Sequence, residues 1–344
     1  MLAGNSLVLT ENGLLPIEKL AGKEAKTYLS GSWYDTEFFH AGEREVFRVQ
    51  FTSGLYLDVT EDQVVLFGKK EIPAGDSLNK TVVVQPTAKG WSGFTYSSVD
   101  DDDMVMLGFI QGDGSFPKDK EAVVVNIGDK DEDVYAFFKR KYSDFEVPRE
   151  SRTAWLPSDH PLATLSKKIQ IPRLILPERH LAENIFGYNV QSTKMFIRGL
   201  YSANGTVILT GAKGAPKSLG RVTLRSTCRR LIKEVHTIFG ALGYRGYVTT
   251  NKATEVKFRN GVYKCRESYD LSLSGIFARR YGKEIGFLHQ YKMDKLRKLR
   301  SSSQISPHPV KVQSLESLGV QDVYGFNGGF CWIDGFHIGA TANG

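Results

Sequence analysis

The 344-residue sequence contains no uninterrupted run of about 18 apolar residues, which excludes a membrane-spanning helix of ordinary length. Its first residues, MLAGNSLVLTENG, have neither a basic stretch nor a long apolar core, so we expect no secretory signal peptide. It has only three cysteines, and the odd number and wide spacing of Cys228, Cys265 and Cys331 predict neither a disulfide framework nor a zinc site. These absences predict an intracellular protein.

Positive charge is concentrated in one part of the chain. Residues 213–300 hold 21 Lys and Arg against 6 Asp and Glu, a local net charge of +15. The whole chain has a net charge of +7, so the remainder carries 7 − 15 = −8. A basic block in an otherwise acidic protein predicts a polyanionic partner, and the alternative is a solvated basic surface.

The patterning divides the chain into four segments. Residues 1–96 alternate short β-branched runs with Gly, Asn and Asp turns, which predicts an all-β region. Residues 97–300 open with the acidic stretch SSVDDDD, a helix N-terminal signal, and then mix helical and strand patterns. Residues 301–340 begin with a linker-like composition and return to β character. Residues 341–344 form a short tail.

A nine-residue pattern occurs twice in the mixed segment. MLGFIQGDG (106–114) and IRGLYSANG (197–205) end in glycines that lie 91 positions apart, and strands and helices follow each copy in similar order. The repeat therefore predicts two halves, at about 104–190 and 191–300, that pack about a pseudo-twofold axis.

Each copy has small residues on one helical face, four positions apart. These are Gly108, Gly112, Gly199 and Ala203. Two such faces allow close helix packing, which would bring the last polar residues, Asp113 and Asn204, together near the axis. Gly114 and Gly205 follow as helix stops, for which we expect left-handed backbone.

Oxygen donors that converge beside two helix C-termini favour a hard divalent cation. Mg²⁺ is the preferred ion, with another such as Mn²⁺ also suitable, and it would polarise a phosphate and activate water. The alternative is a pair of well-packed helices with ordinary ends.

The two motif copies resemble the signature helices of LAGLIDADG homing endonucleases. KKIQIPRLIL (167–176) and LSLSGIFARRYGKEIGF (271–287) also resemble segments of that family. The resemblance implies an αββαββα fold in each half, with β-sheets in the DNA major groove and metal-dependent cleavage of both strands at a long site. It implies that Asp113 is a metal ligand, with Asn204 at the matching position. A lysine near each site is usual, and Lys167 and Lys283 are the candidates.

The basic strands have alternating polar faces that suit DNA. In RVTLRST, one face carries Arg221, Thr223 and Arg225, and the other carries Val222 and Leu224. Further basic residues alternate in the following strands: Lys257, Arg259, Lys264 and Arg266. Such rows contact base edges and phosphates together.

The flanking segments resemble the conserved blocks of inteins. MLAGNSLVLTENGLLPIEKL and GLYLDVTEDQVVLF (54–67) resemble the first two blocks, and DVYGF and FCWIDGFHIGA resemble the last two. The resemblance implies a β-rich Hint domain, horseshoe-shaped in inteins, that is split by an inserted endonuclease. Its parts would be residues 1–96 and 301–340, with the endonuclease at 97–300 and a host or added tail at 341–344.

The residues that protein splicing requires are missing. Met1 stands where a nucleophile is needed, and Thr60 is followed by Gln63 in place of histidine. The Asp of the V-Y-D pattern is replaced by Gly325. Gly339 and Ala340 align with the terminal His-Asn, ahead of Thr341; a rival alignment makes Asn343 the terminal residue. Ala340 cannot cyclise, so we expect no splicing, through either engineering or natural decay.

These observations lead to three alternative hypotheses for the function. The first is an intein-encoded, site-specific double-strand endonuclease, a monomer with an internal pseudo-dimer. Its partner would be duplex DNA at the intein-less host allele, with the host protein as flanking exteins. The second is a cleavage-dead or nicking DNA-binding remnant, because Asn204 supplies less charge than Asp. The third is a β-rich autoprocessing protein with a structural insert.

Overall fold

The computed structural model describes residues 1–67, 70–83, 90–117, 121–211, 219–258, 261–299 and 309–340. The N-terminal segment contains nine strands: β1 (Leu2–Ala3), β2 (Leu7–Thr10), β3 (Gly13–Pro16), β4 (Glu24–Leu29), β5 (Ser32–Phe51), β6 (Tyr56–Val59), β7 (Val64–Phe67), β8 (Lys70–Pro73) and β9 (Thr81–Val83).

The middle segment mixes helices and strands. It contains, in chain order, α1 (Asp101–Asp113), β10 (Gly114–Ser115), β11 (Val123–Asn126), α2 (Glu132–Lys141), β12 (Thr153–Leu156), α3 (Pro161–Lys168), α4 (Val190–Asn204), β13 (Gly205–Thr210), β14 (Leu219–Ser226), α5 (Arg229–Ala241), β15 (Gly246–Asn251), β16 (Thr254–Phe258), β17 (Gly261–Cys265), β18 (Ser268–Ser274), α6 (Gly275–Glu284) and α7 (Gln290–Arg297). The C-terminal segment contains β19 (Pro309–Phe326), β20 (Phe330–Ile333) and β21 (Phe336–Gly339).

The two ends of the chain build one sheet. The long strands β5 and β19 pair antiparallel, β1 lies between β6 and β19, β20 pairs with β2, and β21 pairs with β7. Their apolar side chains share one core, in which the rings of Phe51 and Phe336 stack with centroids 4.5 Å apart. The described strands of residues 1–83 and 309–340 therefore form one sheet, here called the β-rich domain, and the chain between them is here called the inserted segment.

The inserted segment has two unequal halves. The first has a three-stranded sheet, β10-β11-β12, and the second has a four-stranded sheet, β13-β14-β18-β15, with a separate hairpin of β16 and β17. Four strands were expected in each half. In the described part of the first half Pro117 follows β10 and Pro157 follows β12, and proline has no N–H with which to extend a ladder.

The helix starts agree with their local sequence. The Asp100 side chain accepts hydrogen bonds from the backbone N–H groups of Asp102 and Asp103, so the acidic stretch caps α1 as predicted. Asn189 caps α4 in the same way through Ser192. No helix in the described ranges is both long and apolar enough to cross a membrane.

The β-rich domain is held against the second half. The turn between β20 and β21 has positive φ at Asp334 and Gly335 (51° and 94°), as an Asp-Gly hairpin favours. Asp334 forms a buried ion pair with Lys233 of α5, at 2.9 Å. The N–H of Val248 in β15 donates to the carbonyl of Ser53, and Trp332 packs in the core of the inserted segment.

Candidate active site

Helices α1 and α4 approach along their small residues. A Cβ on Gly108 would overlap the carbonyl oxygen of Phe196, and a Cβ on Gly199 would overlap that of Val105. One turn further on, a Cβ on Gly112 would meet the Cβ of Ala203. The backbones therefore touch directly, and any larger side chain at these glycines would separate the helices.

Both motif helices end by passing straight into a strand. Gly114 and Gly205 are extended, with φ of −80° and −94°, so the expected left-handed backbone is wrong. Glycine is needed there for space, because a Cβ would overlap the carbonyl oxygen of Ile110 in the first copy and of Tyr201 in the second. Because each strand continues the helix without a turn, Asp113 and Asn204 are held at fixed points.

Asp113 and Asn204 line the same cavity. Its volume is about 290 Å³, and its other polar lining includes Arg179, Arg225 and Thr227. The Nδ2 atom of Asn204 faces Gly112, one residue before Asp113. The convergence that the repeat predicts is thus present, with one acidic and one neutral side chain.

The Asp113 carboxyl group lies in an environment that favours its neutral form. Burial and then the charge of Asp131 raise its pKa to about 6, against the opposing influence of Lys292, His289 and Arg179. A cation bound at Asp113 would favour the ionised form, because it replaces lost hydration with a direct charge partner.

Lys292 does not line this cavity but lies close enough to influence Asp113 electrostatically. Its ammonium group donates to the carbonyl oxygen of Ser202 at the end of α4, at 2.7 Å. Burial lowers its pKa to about 8, although attraction to Asp131 and Asp113 opposes that shift. Lys292 therefore lies within electrostatic reach of the first motif while it contacts the second.

A second buried contact fixes the start of α7. The Nε2 atom of His289 lies 2.6 Å from the carboxylate of Asp131, and this interaction lowers the pKa of Asp131. The next backbone N–H, of Gln290, donates to Asp133. The N-terminus of α2 in the first half thus orients the helix that carries Lys292.

Arg179 occupies the matching place in the first half. Its guanidinium donates to the carbonyl oxygens of Gln111 and Gly114, at 3.3 and 3.2 Å. Positions 111 and 202 are 91 apart, as are the two motif glycines, so Arg179 and Lys292 contact equivalent carbonyls. Each cation therefore lies at the C-terminal end of a motif helix, where the helix dipole is negative.

The two lysines predicted from the sequence lie elsewhere. Lys167 pairs with Glu121 on the surface, and Lys283 lies beside Arg279 and Glu284 in a separate depression. Neither lines the cavity of Asp113. A signal for Lys292 was present in the sequence, because it shares the spacing of the apolar stripe that continues at Leu296 and Leu299, and an inward lysine on such a stripe is unusual.

The second half presents the predicted polar face. Val222 and Leu224 of β14 are buried in the core, and Arg221, Thr223 and Arg225 alternate with them. Thr223 is only 2% exposed, however, so of the three predicted contact residues only the two arginines are accessible. Thr223 shares a hydrogen bond with Ser272, and Arg225 forms a two-point ion pair with Asp270, at 2.6 and 2.7 Å. We call Arg221, Thr223 and Arg225 the β14 face. Its side chains are partly held in place by these contacts with β18.

Two of the remaining predicted basic residues lie in the β16–β17 hairpin. Lys264 is exposed on β17, and Lys257 lies on β16. Arg266, just after the hairpin, donates to the carbonyl oxygen of Leu176, at 2.7 Å. Arg259 lies outside the described residues.

The splicing positions come together in the β-rich domain. The backbone amino group of Met1 donates to the hydroxyl of Thr60, at 2.6 Å, and a Cβ on Gly325 would lie 2.8 Å from the sulfur of Met1. The Gln63 amide donates to the carbonyl oxygen of Gly339, at 2.8 Å. Ala340 follows directly, with its N–H bonded to Gly329, and Thr341 lies outside the described residues.

The donor chemistry suits a hard cation with few protein ligands. Within the described ranges, no group of three or more His, Cys, Asp or Glu is placed to hold a metal ion. Asp113 and Asn204 each offer a side-chain oxygen in one cavity. Mg²⁺ fits such a set, because it commonly keeps several waters and takes further ligands from substrate phosphates.

Comparisons with known proteins agree with this arrangement in part. Residues 192–286 match the LAGLIDADG-like domain family. The chain is similar to I-SmaMI bound to an uncleaved DNA target in the presence of calcium ions, at 10% identity over 58% of this chain and 90% of that one, with a TM-score of 0.34. It is also similar to full-length DUF199/WhiA from Thermatoga maritima, at 13% identity over 61% of this chain and 65% of that one, with a TM-score of 0.31.

The chain is also similar to an Ssp DnaB mini-intein variant, at 16% identity over 27% of this chain, with a TM-score of 0.24. The match spans 65% of the mini-intein's length. The family match confirms the predicted LAGLIDADG resemblance for residues 192–286, the part of the chain that runs from α4 to α6 and carries Asn204.

Proposed function

We propose that the protein is a site-specific DNA endonuclease encoded by an intein, and that it hydrolyses phosphodiester bonds in both strands of a long duplex site. The observation that carries the proposal is the meeting of Asp113 and Asn204 in one cavity at the ends of two backbone-packed helices. The basic β14 face beside the cavity supports DNA as the substrate, because its cations suit phosphates and base edges.

The residues of the site would divide the reaction between them. Asp113, with the side-chain oxygen of Asn204, would hold Mg²⁺ or Mn²⁺, which supplies polarisation of the phosphate and an activated water when bound. We assign to Lys292, rather than to Lys167 or Lys283, the neutralisation of charge that develops on the phosphate. Its buried ammonium group between the two motif ends supports this role.

The first experiment uses the coding sequences that flank the intein, joined directly and cloned in a supercoiled plasmid. With Mg²⁺, the protein should produce one defined linear product, and with EDTA none. A plasmid that retains the intein gene at the same position is the matched control and should stay uncut. Absence of both binding and cutting on the joined site would overturn the proposal.

The role of Lys292 is tested by Lys292→Gln, with Lys295→Gln as the matched control. Lys295 lies on the same helix but is exposed. We expect Lys292→Gln to lower the cleavage rate by roughly a hundredfold, in the range found for a single transition-state stabiliser, with DNA binding retained. Equal rates for the two variants would remove Lys292 from the mechanism.

Asn204 favours a second candidate function, a strand-selective nicking enzyme. An amide oxygen ligates a cation without contributing charge, so the two strands would be cut at different rates. The plasmid assay separates the two, because a nicking enzyme converts supercoiled DNA to open circles that persist.

We propose that the β-rich domain is a Hint domain that does not splice in this chain. Met1 has no nucleophilic hydrogen, and Ala340 cannot form a succinimide. Placing residues 1–340 between two reporter proteins should give no ligated reporter product, and a ligated product would contradict the proposal. Size-exclusion chromatography should show a monomer, since the chain supplies both motif helices itself.

A further inference from the structure

Three consecutive aliphatic residues are exposed beside the catalytic cavity. Leu174, Ile175 and Leu176 are 39%, 68% and 47% exposed. We call these residues the LIL segment. Adjacent exposed aliphatic side chains are costly to solvate and commonly mark an interaction surface.

The backbone of the LIL segment is held at both ends by arginines. Arg179 donates from its Nε to the carbonyl oxygen of Leu174, at 3.3 Å, and Arg266 of the second half donates to that of Leu176, at 2.7 Å. The N–H of Glu178 closes a turn onto Ile175, at 3.0 Å. The exposed side chains are therefore presented on a braced loop.

The position of the LIL segment indicates which groove of a bound DNA duplex it would contact. Leu176 lines the same cavity as Asp113 and Asn204, together with Arg179 and Arg225. Two adjacent catalytic positions that serve opposite strands require the phosphates to be close, and opposite strands approach across the minor groove, which is about 6 Å wide against about 12 Å for the major groove. On DNA bound for such cleavage, the LIL segment would therefore face the minor groove between the two cleavage points.

We propose that the LIL segment is an apolar wedge, led by Ile175, that enters the minor groove at the centre of the target and partly unstacks one base step. Arg179 and Arg266 add positive charge beside this apolar segment, which favours DNA over a protein as the molecule that binds here. Aliphatic wedges of this kind kink DNA toward the major groove. This inference rests on the proposed endonuclease function.

The wedge implies a sequence preference at base pairs that no hydrogen bond reads. Pyrimidine–purine steps, above all TA, unstack most easily, so the centre of the target should favour them. Replacement of a central TA step by a stiff AA step should slow cleavage while contacts of the β14 face stay unchanged.

The test compares Ile175→Ser with Val320→Ser on the duplex that the protein cuts. Val320 is 67% exposed on the β-rich domain and is the matched control for loss of an exposed β-branched side chain. Each protein is titrated onto DNA that carries 2-aminopurine at the central step, without divalent metal, and anisotropy of a terminal dye reports binding separately. Cleavage with Mg²⁺ is then measured on the same sequence and on a copy with a central mismatch.

We expect wild-type protein and Val320→Ser to raise 2-aminopurine fluorescence on binding, and Ile175→Ser to bind without the rise. Ile175→Ser should cut matched DNA at least about tenfold more slowly, and the mismatch, which is already unstacked, should restore its rate. Binding by wild type without a fluorescence rise, or wild-type cleavage by Ile175→Ser, would overturn the wedge alone. No DNA binding by any of the three proteins would instead overturn the proposed function.

Discussion

The two halves of the inserted segment share their motif helices and differ in their sheets. In the first half, the described strand residues on the face away from the core are Ser115, Val124, Asn126, Thr153 and the exposed Trp155, none of which is charged. In the second half, four strands present Arg221 and Arg225 on that face. Close backbone packing constrains the facing residues of the two motif helices, whereas the described outer faces of the two sheets make no such contact with each other, so their residues are free to differ.

The charged groups of the site come from both halves. The first half contributes Asp113, Asp131 and Arg179, and the second contributes Lys292 and the imidazole of His289, so groups from both halves influence the pKa of Asp113. Each half is therefore incomplete alone. The following predictions test which differences between the halves matter, beginning with the largest expected effect.

The largest expected effect comes from Asp113, which gives the first motif end a carboxylate where the second has the neutral Asn204. Asp113→Asn makes the two motif ends alike and neutral, so the cleavage rate should fall by about a thousandfold or more, because the charged metal ligand is lost. DNA binding should persist, since asparagine has nearly the same shape. Asp102→Asn, an exposed change in the first turn of the same helix, is the control and should cut normally. Undiminished cleavage by Asp113→Asn would place the chemistry elsewhere.

Helix α5 of the second half forms a buried ion pair, whereas helix α2 of the first half forms an exposed one. Burial works against both charges and raises the pKa of Asp334, while attraction to Asp334 raises the pKa of Lys233. Lys233→Met leaves Asp334 buried without its cation and should lower the free energy of unfolding by about 3 kcal/mol. Arg140→Met in α2 removes an exposed pair with Asp102 and should cost under about 1 kcal/mol.

Chemical denaturation of both variants checks this difference. The double variant Lys233→Met with Asp334→Leu should recover most of the loss, because no unpaired charge remains. Equal destabilisation by Lys233→Met and Arg140→Met would mean that the buried pair does not hold the β-rich domain to the second half.

The motif positions could be predicted from sequence, but their surroundings could not. The 91-residue repeat was enough to bring Asp113 and Asn204 together, because small residues four apart dictate close helix packing. The burial of Lys292 near Asp113 was not predicted, because its inward direction depends on interactions with Ser202 and Asp131 that lie far away in sequence. The pairing of β1, β20 and β21 with distant strands likewise depends on tertiary contacts.

The second motif end can be made acidic. Asn204→Asp should raise cutting of the slower strand by roughly ten- to a hundredfold and should increase thermal stabilisation by Mg²⁺, because a second carboxylate repels Asp113 until a cation binds. The combined variant Asp113→Asn with Asn204→Asp moves the single carboxylate to the other half. End-labelled DNA should then show that the preferred strand has switched. An unchanged preference would mean that the strands are distinguished by the sheets and not by the motif ends.

The smallest expected effects separate the two sheet faces. Arg221→Ala removes a cation from the second half and should reduce the slope of log affinity against log salt by about one, with affinity lowered on every sequence. Trp155→Ala removes an exposed ring from the first half and should lower affinity by up to about tenfold without changing the slope, because no counterion release is involved. Fluorescence anisotropy over a range of salt concentrations measures both. If Trp155→Ala changed the slope as much as Arg221→Ala, the first half would bind through charge after all, and the contrast between an uncharged and a basic sheet face would not describe how this protein holds DNA.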